Sequence, residues 1–221
     1  EGPAGEKNAP KNLRIGALQT LVGGSFLTGA IDDVQIFDRV FGSEEVALLM
    51  NHAPGLAPVF DTSILAGRTL LITNTATDAD LPAQSLAFGI QDAPAGVAIN
   101  SSTGVLTWRP AISESGAAHS ITVRVNDNGA PTMSATQRFA VAVQRPEKPA
   151  ISMLAFNQGN FSMNVIGDSG PDYIVEASTN LGSAADWIPL ATNYSAAPPF
   201  LWKDTQSARL SRRFYRIRLG P

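Results

Sequence analysis

With 221 residues, 44% of them hydrophobic and 16% charged, the chain is apolar enough to build cores and too poor in charge for a disordered polymer. A formal net charge of -3 gives no electrostatic case for binding nucleic acid, and no apolar run approaches the roughly 20 residues needed for membrane insertion as a helix. The absence of cysteine removes disulfides, thiolate metal sites and cysteine nucleophiles together.

Two polar, proline-stiffened stretches, at residues 51–58 and 144–149, have linker chemistry. They divide the chain into segments 1–56, 57–145 and 146–221. Short period-2 runs separated by turn residues dominate each segment, which predicts an all-β chain of tandem β-sandwich modules. One short helix near the N-terminus is the exception. Ser43 caps it, and Glu44 and Glu45 in its first turn suit the positive end of the helix dipole. The sequence begins at Glu1, without an initiator methionine or a signal peptide, and reads as part of something longer.

In the first segment, residues 13–16 and 26–37 read as strands, with Ile31, Val34 and Ile36 apolar. A ribbon of two strands and one helix buries too little surface to stand alone. Leu13-Arg14-Ile15-Gly16, then the run from Phe26 through Ile31-Asp32-Asp33-Val34 to Phe37, then Gly42-Ser43-Glu44-Glu45-Val46, resembles the closing stretch of a laminin-G-like (concanavalin-A-like) jelly roll. The resemblance implies a truncated jelly-roll remnant that lacks the loops of a sugar or calcium site.

The middle segment carries alternating apolar sets: Leu70 and Ile72; Leu86, Phe88 and Ile90; Leu106 and Trp108; Ile121, Val123 and Val125; Phe139, Val141 and Val143. Each set can face one interior while its neighbours face water, which predicts a sandwich of about seven strands. Asp127-Asn128-Gly129 reads as a hairpin turn with glycine at positive φ. Trp108 follows Leu106 at period 2, so it belongs to the core rather than to a sugar platform. Ala76-Thr77-Asp78-Ala79-Asp80, Pro94-Ala95-Gly96, Thr103-Gly104-Val105-Leu106-Thr107-Trp108-Arg109-Pro110 and Val123-Arg124-Val125-Asn126-Asp127 resemble the cadherin-like, Ig-type modules of bacterial exoproteins. That resemblance implies an adhesive or spacer module, extracellular or on the cell surface. It also implies a candidate calcium site at Asp78, Asp80 and Asp127, to which Asn51 of the preceding linker could add a carbonyl. Calcium wants six to eight oxygens, so converging carboxylates are what it requires. The competing account is that these are turn aspartates bonding their own backbone.

The last segment alternates at Phe161, Met163 and Val165 and again at Tyr173, Val175 and Ala177. Tyr173-Ile174-Val175-Glu176-Ala177-Ser178-Thr179, Trp187, Asp204 and Arg213-Phe214-Tyr215-Arg216 resemble a C-terminal, fibronectin-III-like β module of bacterial exoproteins. Arg216 and Arg218 alternate with Tyr215 and Ile217 and should cover the outer face of the last strand, either as a solvated face or as a contact for an acidic glycan. Gly167-Asp168-Ser169-Gly170-Pro171 superficially resembles a serine-protease nucleophile loop, but no histidine motif accompanies it, and a serine without a positioned base is an ordinary alcohol.

The sequence therefore predicts a non-catalytic adhesion or spacer region of a secreted or cell-surface bacterial protein, with a glycan or a cell-surface protein as its partner. The alternative is an accessory region of a secreted hydrolase whose catalytic domain lies upstream. An independent carbohydrate-binding module would need an aromatic platform, for which Trp187 and Trp202 are the candidates. Oligomeric state is not legible in the sequence.

Overall fold

The structure, a computed structural model, describes residues 38–40, 42, 51–80, 83–182, 186–194 and 197–220. The chain divides into two compact units, Glu1–Gly42 and Ser43–Pro221, and every described strand belongs to the second. The strands expected at residues 13–16 and 26–37 and the helix expected at residues 44–50, which carry the jelly-roll resemblance of segment 1–56, lie outside the described residues. What is described is all-β, as expected.

The first set of strands comprises β1 (Gly55–Leu56), β2 (Thr62–Leu65), β3 (Leu70–Thr73), β4 (Ala76–Thr77), β5 (Ala87–Asp92), β6 (Ala98–Ile99), β7 (Val105–Trp108), β8 (Ala118–Asn126) and β9 (Ser134–Gln144). One layer runs β2-β9-β8-β5, with β2 parallel to β9, and the other runs β3-β7-β6; β1 and β4 form a separate ribbon. Alternation explains the pairing. In β8 and β9 every second residue is buried, Ile121, Val123 and Val125 in one and Phe139, Val141 and Val143 in the other. Leu70, Leu106 and Trp108 of the opposite layer close the same core.

The second set comprises β10 (Ala150–Asn157), β11 (Asn160–Ile166), β12 (Tyr173–Ser178), β13 (Ile188–Asn193), β14 (Phe200–Asp204) and β15 (Phe214–Leu219). They form two three-stranded sheets, β10-β11-β14 and β13-β12-β15. Aromatic contacts join the layers: Phe161 stacks on Tyr215 at 4.3 Å, and Tyr173 meets Phe200 edge-on at 5.8 Å. β12 is buried on both faces, Glu176 and Ser178 included, which the spacing of Tyr173, Val175 and Ala177 does not foretell.

Tyr173 is fully buried, and its hydroxyl donates to the Asp168 carbonyl at 2.8 Å. Burial first, and the Asp168 charge second, push the phenol from 10.0 up to about 12, against the opposing effect of the hydrogen bond. A raised folded-state value means that the neutral phenol contributes stability in full below pH 10, and that this is lost as pH climbs through 12. Melting temperatures measured between these limits are expected to fall with rising pH, and Tyr173→Phe is expected to flatten that decline.

Candidate functional site: an oxygen-rich pole and a clamped junction

Asp78 and Asp80 follow β4, and Asp127 follows β8, so strand ends bring them to the pole of the first sandwich that the linker enters. Asn51 and His52 of the linker dock on the same pole. Asp80 is buried and accepts the His52 backbone N–H at 2.9 Å and Gln84 Nε2 at 2.8 Å, while His52 Nδ1 lies 2.7 Å from its other oxygen. The His52 backbone bond first, and the His52 ring next, hold the Asp80 carboxyl below the usual carboxylate range, against the opposing effect of burial. Asp78 Oδ1 accepts the Asp80 backbone N–H at 2.9 Å.

Asn51 is spent on protein partners rather than left open. Its Nδ2 donates to the Pro131 carbonyl at 2.7 Å, and its Oδ1 accepts from Gln84 at 2.6 Å. Gly129 makes room for it, since a Cβ there would stand 2.0 Å from Asn51 Oδ1. Gly129 is absent from the positive-φ glycines, so close approach and not turn geometry is what requires it. Asp127 Oδ1 accepts the backbone N–H groups of Gly129 and Met133 at 3.1 and 2.8 Å.

Among the described residues, four buried side-chain oxygens keep no hydrogen-bond partner: Asp78 Oδ2, Gln84 Oε1, Asn126 Oδ1 and Asp127 Oδ2. Unpartnered buried acceptors are costly, and an all-oxygen set is the chemistry a hard cation takes. Of the expected ligands, then, Asp78 and Asp127 retain a free oxygen, whereas Asp80 and Asn51 are committed to the linker network. Among the described residues no three His, Cys, Asp or Glu side chains are grouped to hold a metal ion. The residues that sequence reading missed are Gln84 and Asn126, which carry no charge to flag them.

At the other end of the sandwich, Trp108 points into the core and its neighbour Arg109 points out, as strand alternation requires. The Arg109 guanidinium grips both sandwiches. Its Nε donates to the Gly67 carbonyl at 2.7 Å, and its Nη2 donates to the Gly170 carbonyl at 3.0 Å and to Asp172 Oδ1 at 2.7 Å. Backbones touch around it. A Cβ on Gly67 (φ +79°) would lie 2.8 Å from Pro171 Cα, and one on Gly170 (φ +118°) would lie 2.9 Å from Arg68 Cβ. The turn at 167–171, suggestive of a protease loop in sequence, is the surface against which the first sandwich packs.

The family described as Putative Ig domain (He_PIG) matches residues 53–144. Over those residues the chain is similar to an Ig-like β module. Among solved structures, the chain is similar to the human Desmocollin-1 ectodomain at 19% identity, over 52% of this chain and 26% of that one, with a TM-score of 0.35. It is also similar to Protocadherin Gamma B2 extracellular cadherin domains 3-6 at 15% identity, over 65% and 45%, with a TM-score of 0.38. A nucleoside hydrolase-related hypothetical protein from Saccharophagus degradans is similar at 22% identity, over 42% and 26%, with a TM-score of 0.33. The chain spans less than half the length of any of these three. No curated protein matches it.

The remaining candidate residues have defined partners. Trp202 packs edge-on to Tyr215 at 5.8 Å. Asp204 is buried and accepts Arg213 Nη1 at 2.6 Å and the Tyr215 hydroxyl at 2.8 Å. Arg216 and Arg218 do cover the outer face of β15, but they share the buried Glu176 instead of standing alone in solvent. Ser120, His119 and Asp61 line one groove, yet Arg138 holds the Ser120 hydroxyl and the His119 ring packs edge-on to Trp108 at 5.2 Å. Successive strand residues face opposite ways, so His119 is not placed to serve Ser120 as a base.

Proposed function

We propose that this chain is a non-catalytic spacer and adhesion segment of a secreted or cell-surface bacterial protein, with its two sandwiches held in fixed relation. The Arg109 clamp carries this reading. A flexible tether needs no side chain that bridges two turns and a buried carboxylate, whereas a spacer that transmits position does. The Ig-like assignment of residues 53–144 supports the adhesive half of the reading. The chemistry at hand supports the non-catalytic half. In the groove that carries Asp61, His119 and Ser120, Arg138 holds the serine hydroxyl and the histidine ring packs on Trp108, so no base is set against that hydroxyl.

The chain has no cysteine, so Ser102→Cys and Ser211→Cys, one exposed site on each sandwich, would accept a pair of spin labels. A single narrow distance distribution is expected. A broad one, spanning tens of ångströms, would end the spacer reading.

The pole adds a calcium site to the proposal, with Asp78 and Asp127 as its carboxylate ligands and Gln84 and Asn126 as neutral oxygens. Sites on extracellular modules bind at Kd of about 10⁻⁴–10⁻³ M. A ligand that binds only the native state raises Tm, so millimolar calcium is expected to lift the melt by a few degrees over chelator. Asp127→Asn should remove most of that difference, and superimposable melts would eliminate the ion.

A further inference from the structure

We infer that the outer face of the β13-β12-β15 sheet is a binding site for an acidic polysaccharide, one bearing carboxylate or sulfate groups. The site is built on Glu176, whose side chain is only 6% exposed. Arg216 Nε donates to one of its oxygens at 2.6 Å and Arg218 Nε to the other at 2.7 Å. Register explains the convergence, because Glu176 pairs directly with Arg216 and Ile174 with Arg218 across β12 and β15.

Charge balance separates this cluster from an ordinary structural ion pair. One guanidinium would neutralise Glu176, and the second leaves a net positive charge. Desolvation tends to raise the Glu176 pKa, but the two guanidiniums outweigh it and hold the carboxyl below its usual range, so the anion persists. Each arginine is anchored through Nε, which leaves the four Nη N–H groups of each fork for another acceptor. Their side chains are 42% and 50% exposed while the carboxylate beneath is hidden. What meets solvent is therefore donor and cation, with the internal anion out of reach.

Two further features point to a sugar polymer. The Trp187 ring lies 4.4 Å under the Arg216 guanidinium and is itself half-buried, fixing that fork and adding an aromatic edge beside it. Arg209 and Arg212, both exposed in the segment that leads into β15, add positive charge that raises the attraction for a polyanion. Arg213 does not add to it, since Asp204 takes its charge. Asp186, exposed and next to Trp187 in the chain, is the opposing acid among the described residues 186–194.

Affinity electrophoresis of the whole chain through gels containing polygalacturonate, dextran sulfate or neutral dextran tests this. Retardation is expected in the two acidic gels only, falling steeply with salt. Arg218→Gln should weaken it about tenfold, the loss of one forked contact. Glu176→Gln, which removes the internal counter-charge while keeping shape, should strengthen retardation severalfold. Should Arg218→Gln fail to fold, Arg218→Lys keeps the charge, loses the fork and should still weaken binding. Equal retardation of parent and variants would overturn the proposal. So would weaker binding by folded Glu176→Gln, or stronger binding to phosphatidylglycerol vesicles than to either polymer.

Discussion

Trp108→Ala is expected to destabilise the Ig-like module by about 3–5 kcal/mol, the usual range for removing a buried tryptophan. The indole is 1% exposed, sits among Leu70, Leu106, Ile121 and Val141, and donates its ring N–H to the Ala95 carbonyl at 3.2 Å. Truncation removes that packing, leaves a cavity between layers that cannot close, and orphans a carbonyl. Domains of this size hold about 5–15 kcal/mol in all, so the variant should sit near the edge of folding. Trp108→Phe retains most of the volume and should cost about a third as much. Urea titration followed by far-ultraviolet circular dichroism measures both. A loss below 1 kcal/mol for the alanine variant would mean the indole is not the keystone of this core.

Arg109→Ala should cost about 2–3 kcal/mol and, more tellingly, uncouple the two sandwiches. Breaking one partner of a buried ion pair typically costs about 3–5 kcal/mol. The Arg109 side chain is 32% exposed against 8% for Asp172, so solvent screens the pair and the lower figure is the better expectation. The charge alone is not the point. Arg109→Lys cannot supply Nε to Gly67 and Nη2 to Gly170 and Asp172 at once, and should rescue little. Asp172→Asn, which keeps shape and acceptor, should cost less than Arg109→Ala. A double-mutant cycle over Arg109 and Asp172 isolates the pair, with a coupling energy of about 1–2 kcal/mol expected.

The contrast between these neighbouring residues shows what the sequence makes legible. Trp108 announces itself because strand burial has a period of two, and Leu106, Trp108, Ile121, Val123, Phe139 and Val141 all obey it. Arg109 carries no such signal. Its partners lie in turns at Gly67 and at Gly170–Asp172, and their meeting depends on how two sandwiches pack. The 167–171 turn invited comparison with protease loops because local sequence gives no hint of what packs against it.

The candidate pole was legible in part. Asp78, Asp80 and Asp127 are marked as a set by the resemblance to cadherin-like modules, and the structure places them just past the ends of β4 and β8. Which oxygens stay free is another matter, decided by His52 and Gln84, whose side chains reach across from the linker and from the stretch before β5. The basic stripe behaves similarly. Its outward direction follows from alternation with Tyr215 and Ile217, but the buried Glu176 beneath it became visible only through the cross-strand register. Alternation predicts faces, and long-range contacts decide what those faces do.

The tryptophans divide conveniently, with Trp108 in the first sandwich and Trp187 and Trp202 in the second. Unfolding followed by fluorescence in a Trp108→Phe variant therefore reports the second sandwich alone. The Trp187→Phe/Trp202→Phe variant reports the first. Because Trp108→Phe itself weakens the first sandwich, each reporter is read as the midpoint change caused by adding Arg109→Ala. If the clamp couples the sandwiches, the substitution should lower the midpoint of both reporters by comparable amounts. A shift confined to one reporter, or to neither, would contradict a junction that holds the two as one body.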